Sequence, residues 1–111
     1  MAQFLNMARF DVYKNPGKNQ TAVPWVLDVQ STHLDALATR IVVPLRRRDA
    51  FPQISLPADL IPVFTIHGIA CMLDSPQLAA IPKSALKQSV ANLAEHQTEI
   101  TASLDRLFGG F

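Results

Sequence analysis

Residues 25–45, WVLDVQSTHLDALATRIVVPL, place two strand-like runs on either side of a short polar loop, and that arrangement decides the fold class. Successive residues of a strand point to opposite faces of a sheet. In the first run Trp25, Leu27 and Val29 therefore share one face, and Val26, Asp28 and Gln30 share the other. The second run, Arg40-Ile41-Val42-Val43-Pro44-Leu45, is too apolar on both faces to be an exposed edge strand. Arg40 precedes it with Asp28 and Asp35 as acidic partners, and a structural ion pair is its simplest role. Trp25 reads as core.

The same period of two extends outward on both sides. From Arg9 to Lys14 the chain alternates, with Phe10 and Val12 on one face and Asp11 and Tyr13 on the other, and Asn15-Pro16-Gly17-Lys18-Asn19 is a turn. Residues 46–60 read as irregular and surface-lying, and the basic run Arg46-Arg47-Arg48 as part of a solvated loop. Val63 to Leu73 reads as two strands folded about His67-Gly68, with a further turn at Asp74-Ser75-Pro76 and a last short strand over residues 80–85. The eight prolines fall at or near these ends and turns, which favours many short strands over helices in the first 80 residues.

From about Lys87 the period changes to that of a helix, predicted over residues 87–108. Val90, Leu93, Ala94, Gln97, Ile100, Thr101, Leu104, Leu107 and Phe108 recur at helical spacing, while Glu95, Glu99 and Asp105 face away. Ser84 or Ser89 is the expected cap and Gly109 the stop. The sum is a mainly β chain with a C-terminal α-helix, an α+β small barrel or sandwich.

Size and charge bound the function. The 111 residues suffice for one domain with one modest core. Half the residues are apolar (49%) and only 17% are charged, so an exposed apolar patch, read as a homodimer interface, is expected. A net charge of +1 recommends neither nucleic acid nor a membrane surface as a direct partner. The single Cys71 lies in an apolar run and reads as a buried, inert thiol. With three scattered histidines it gives no metal-ligand spacing. No run approaches the roughly 20 apolar residues of a membrane span, and no signal peptide is seen, so a cytoplasmic protein is expected. His67 and His96 read as solvated.

Taken in order, Leu27-Asp28-Val29-Gln30-Ser31, a variable loop, then Arg40-Ile41-Val42-Val43-Pro44-Leu45 resembles the CcdB family of bacterial toxins. Phe10-Asp11-Val12-Tyr13 is similar to that family's opening strand, Pro62-Val63-Phe64-Thr65-Ile66 to its P-V-x-x-I strand, and Ala80-Ile81-Pro82 to its A-x-V-P element. The resemblance covers nearly all of residues 7–111. It implies an SH3-like barrel and a domain starting at Met7, with residues 1–6 an upstream extension. The implied function is the toxin half of a type II toxin–antitoxin module: a non-enzymatic homodimer that traps DNA gyrase through its A subunit, needs no cofactor, and is neutralised by a CcdA-like antitoxin. DNA would be met only through gyrase or the antitoxin.

Carried onto this chain, the gyrase-binding positions are His33 and Leu34 in the loop, Asp105 and Phe108 on the helix, and Gly109, Gly110 and Phe111 at the tail. The Asn15, Gly17 and Lys18 turn is the implied antitoxin contact. The family's best-known members end in Trp-Gly-Ile, so the bulky aromatic is replaced here by Gly109 while an apolar terminus is kept. Two other readings follow from the same residues. The first is a family member without toxicity that serves as a partner-binding module. The second is a MazF-like ribonuclease drawing on Arg40, Arg46–Arg48, His33 and Asp35 for acid–base and phosphate-binding groups.

Overall fold

The computed structural model describes residues 8–51, 57 and 59–109. Among the described residues, seven strands and one α-helix follow in order: β1 Asp11–Lys14, β2 Trp25–Asp28, β3 Thr39–Arg47, β4 Val63–Ile66, β5 Ile69–Leu73, β6 Ala79–Pro82, β7 Ser89–Asn92 and α1 Gln97–Gly109. The strands pair antiparallel in the order β4-β5-β3-β2-β1-β7, with β6 also on β3, and the sheet curls into a half-barrel with α1 as its helix. This is the α+β small barrel expected from the strand pattern.

The central strand explains the curl. β3 carries β2 along one edge from Val42 to Leu45. Its other edge is shared, by β6 from Thr39 to Val42 and by β5 from Leu45 to Arg47. Pro44 falls in the gap where one partner gives way to the other. A proline in a central strand removes a ladder donor, and here the missing N–H faces the one place with no strand opposite. The Pro44 carbonyl on that edge accepts the Asp74 N–H at 3.0 Å.

The alternation read for β1 and β2 sorts side chains as expected. Phe10, Val12, Leu27 and Val29 join Val43, Leu45, Phe64, Ile66, Cys71, Leu73, Leu93 and Ile100 in the main core, with Trp25 packed against it. Tyr13, Val26, Val42 and Leu86 form a smaller cluster. Phe10 is held at φ 72°, a conformation costly for a bulky residue. Its N–H donates to Asp28 O at 2.6 Å, its carbonyl accepts from Leu93 at 2.8 Å, and its ring is buried, so three constraints fix it there.

The β4–β5 hairpin turns at His67-Gly68 as the sequence suggested, both residues having positive φ (49° and 79°). His67 Nε2 lies 3.0 Å from the Val90 carbonyl of β7 and its ring 6.0 Å from that of Trp25. The two ends of the curled sheet are thus joined by a side chain rather than by a ladder.

Three element boundaries differ from expectation. The helix does not begin near residue 87: residues 89–92 form β7, paired with β1 from Asp11↔Asn92 to Tyr13↔Ser89, and a 3-10 turn over Ala94–His96 precedes α1. Val90 and Ala91 suit either period, and the free edge of β1 decides for the strand, a tertiary override of local pattern. Neither Ser84 nor Ser89 caps the helix; Asn92 Oδ1 accepts the Ala94 N–H at 2.8 Å at the start of the turn. Secondly, β3 runs on through Arg47, so Arg46 and Arg47 are strand residues rather than loop. Arg46 pairs with Asp74, and Arg47 with Asp49 at 3.0 Å. Thirdly, β6 ends at Pro82 and yields to a 3-10 turn at Lys83–Ala85.

Helix α1 is anchored at its middle. Ile100 is fully buried in the core, and Ser103 Oγ donates to Leu60 O while accepting from Ser75 Oγ at 2.6 Å. At its start, the His96 ring lies 4.8 Å from Phe64, so this histidine is half-buried rather than freely solvated. Cys71 is buried, and burial pushes its thiol up to about 11, the state of an inert core thiol. No helix among the described residues is long and apolar enough to cross a membrane.

Candidate functional site

The loop between β2 and β3 is short, exposed at its tip and tied down from below. Thr32–Leu34 forms a 3-10 turn whose first N–H groups find Ser31: its Oγ accepts from His33 at 3.2 Å and its carbonyl from Leu34 at 3.0 Å. His33 and Leu34 point outward, Leu34 with 47% of its surface exposed and Leu37 with 49%. Beneath them lies the ion pair anticipated from sequence. Arg40, fully buried, donates Nε and Nη2 to the Asp28 carboxylate at 2.9 and 3.0 Å, Nη2 also to Gln30 O at 3.3 Å, and Nη1 to Asp35 at 3.3 Å. Burial pushes the Asp28 carboxyl above its ordinary range, against the lowering pull of Arg40 and of the Gln30 N–H. Both donors favour the ionised form that burial opposes.

The end of α1 makes the second surface. Its buried positions, Ile100 and Ser103, turn toward the core and the 59–61 segment, and Arg106 pairs with Asp59. Asp105 and Phe108 are three residues apart and so share the opposite face. Asp105 and Gly109 are exposed, and Phe108 leaves 75% of its surface in solvent, the largest exposure of any large apolar side chain described. Gly110 and Phe111 lie outside the described residues, as do residues 1–7, so the expected extension and the last two tail positions have no structural account. Among the described residues no hydrogen bond or ion pair joins the helix end to the β2–β3 loop.

The Asn15–Asn19 turn is a third surface. Asn15 organises it from within: Oδ1 accepts from Gly17 at 2.9 Å, and Nδ2 donates to Lys18 O at 3.1 Å and Val23 O at 2.9 Å. Its amide is spent on the turn, while Gly17 and Lys18 are exposed. Beside them opens a pocket of about 420 Å³ lined by Lys14, Asn15, Pro16, Gln20, Ala85 and Lys87. Two lysines and no carboxylate line it. Lys14, Gln20 and Lys87 escaped the sequence reading because 70 residues separate the two halves, which only the β1–β7 pairing brings together.

The residues named for a ribonuclease do not converge. Arg40 is buried and spent on Asp28 and Asp35, out of reach of any phosphate. Arg46 and Arg47 are engaged by Asp74 and Asp49 at the far end of β3. His33 and Arg48 are exposed, but they lie at opposite ends of β3. Among the described residues no group of three or more acidic, histidine or cysteine side chains is placed to hold a metal.

A family model described as CcdB protein matches residues 9–110 of the chain.

Proposed function

The chain belongs to the CcdB family, toxins of toxin–antitoxin systems, and on that premise we propose that it is a non-enzymatic poison of DNA gyrase acting on the A subunit. The observation that carries this reading is Phe108, three-quarters exposed on the last turn of α1. A large aromatic held in water on a rigid helix end is the type of side chain that anchors an interface. Asp105 and Gly109 lie beside it, Gly110 and Phe111 continue the chain, and the His33–Leu34 turn offers a separate small apolar tip.

The protein acts in the bacterial cytoplasm as a homodimer, in which two helix ends and two loops would present the trap symmetrically. A CcdA-like antitoxin neutralises it at the turn of Asn15, Gly17 and Lys18. The adjoining pocket, rimmed by Lys14 and Lys87, suits an acidic segment that orders on binding.

The deciding assay combines purified protein, gyrase, ATP and supercoiled plasmid, and scores linear DNA after denaturation. Accumulated linear product supports a poison. A folded dimer that yields none favours the second reading, a toxin-fold module that only binds partners. That alternative draws on Gly109, which leaves the tail without an aromatic at the position where the family's best-known members carry one.

A further inference from the structure

The His33–Leu34 turn is exposed, yet it is fastened at two backbone carbonyls by side chains that reach in from outside it. Gln30 Nε2 donates to Leu34 O at 3.1 Å, while its Oε1 accepts the Ile41 N–H at 3.0 Å. Its amide thus stands in for a strand residue where β2 has already ended, and hooks the turn to β3. From the opposite side, Lys83 Nζ donates to Asp35 O at 2.6 Å and pairs with the Asp35 carboxylate at 3.6 Å, across 48 residues of sequence. The Lys83 N–H adds a bond to Ala38 O at 2.8 Å. Neither side chain bonds the buried Arg40–Asp28 pair, which Gln30 meets only through its backbone N–H and carbonyl.

We propose that Gln30 and Lys83 are positioning residues: they hold the 31–38 loop in one conformation so that Leu34 meets gyrase already ordered. The proposal rests on the gyrase reading of this loop. A loop held beforehand gives up less freedom when it binds. If release of the Lys83 tether leaves the bound conformation populated about a tenth of the time, apparent affinity falls about tenfold.

The test uses Lys83→Met, with Lys83→Arg as the conservative rescue. It also uses Gln30→Glu, which keeps an acceptor for Ile41 and loses the donor to Leu34. Amide exchange is read at Leu34, Asp35 and Leu37, whose N–H groups bond Ser31 O, Thr32 O and Leu34 O. Affinity for a gyrase A fragment is read in parallel, beside Leu34→Ala. The expected result for Lys83→Met and Gln30→Glu is about tenfold faster exchange at those amides, unchanged exchange at Val43, and about tenfold weaker binding, with both effects of Lys83→Met reversed in Lys83→Arg. Unchanged exchange at the loop amides overturns the proposal. So does faster exchange with full affinity when Leu34→Ala does weaken binding. If Leu34→Ala also binds fully, the gyrase reading of the loop falls, and the functional half of the proposal with it.

Discussion

Replacing Arg40 with Met isolates what the buried ion pair contributes. The guanidinium and the Asp28 carboxylate are both inaccessible to solvent, with their nearest charged atoms 2.8 Å apart. Removal of the cation deprives Asp28 of its two charge-assisted hydrogen bonds and leaves only the Gln30 N–H, at 3.0 Å, to solvate a buried carboxylate. Breaking one side of such a pair costs about 3–5 kcal/mol, against a total stability of about 5–15 kcal/mol for a domain of this kind. At about 4 °C per kcal/mol, Arg40→Met should melt about 12–20 °C below the parent.

Two further measurements separate this account from a generic loss of packing. Arg40→Met with Asp28→Leu should recover most of the loss, because no unpaired charge remains. The pH dependence has a definite sign. Burial already raises Asp28 above its unfolded value, and loss of Arg40 removes the group that opposes this. A carboxyl raised in the folded state takes up a proton on folding, so its penalty is complete at neutral pH and shrinks as pH falls toward the ordinary carboxylate range. The gap between Arg40→Met and parent should therefore narrow from about pH 7 to about pH 5. A loss below about 1 kcal/mol, the scale of an exposed pair, would refute the reasoning. So would a double variant no more stable than Arg40→Met.

Phe108→Ala should change stability by less than about 0.5 kcal/mol, since the ring is exposed, yet abolish linear-DNA accumulation in the gyrase assay; a fully active variant removes Phe108 from the site. Ser103→Ala leaves Leu60 O and Ser75 Oγ without their buried partner and should cost about 1–3 kcal/mol by urea unfolding, read at a constant m-value. Asn15→Ala should loosen the 15–19 turn at a cost of about 1–2 kcal/mol and weaken binding of an antitoxin peptide in calorimetry, while gyrase trapping persists. Cys71, with its thiol pushed up to about 11, should stay unreactive toward a disulfide reagent at about pH 8 until the protein unfolds.

Much of the fold is legible along the chain where one residue carries one signal. Trp25, Leu27 and Val29 alternate with Val26, Asp28 and Gln30 because one face of the strand meets the main core and the other the smaller cluster and the ion pair, and Arg40 finds Asp28 because both are polar groups that a buried strand must pair. The β7 segment was hidden because Val90 and Ala91 fit a helical stripe as well as a strand, and only the open edge of β1, some 80 residues away, distinguishes the two. The strand end at Arg46 and Arg47 was hidden for the same reason: three consecutive arginines look solvated until Asp74 and Asp49 come alongside. The surfaces divide similarly. His33, Leu34 and Phe108 belong to contiguous elements and can be named from sequence with the family pattern in hand. Gln30 and Lys83 act on a loop through hydrogen bonds to its backbone, and no residue pattern announces a carbonyl.

The pairing of β1 with β7 makes one edge of the sheet wait on a distant part of the chain. Asn92 Nδ2 reaches Asp11 Oδ1 at 2.8 Å across 81 residues, so the ladder that precedes α1 joins segments far apart in the sequence. Closing so long a span is entropically costly and belongs to the slow part of folding. The exposed aromatic at the end of α1 follows that ladder by fewer than twenty residues, so its placement against the rest of the sheet belongs with this late closure.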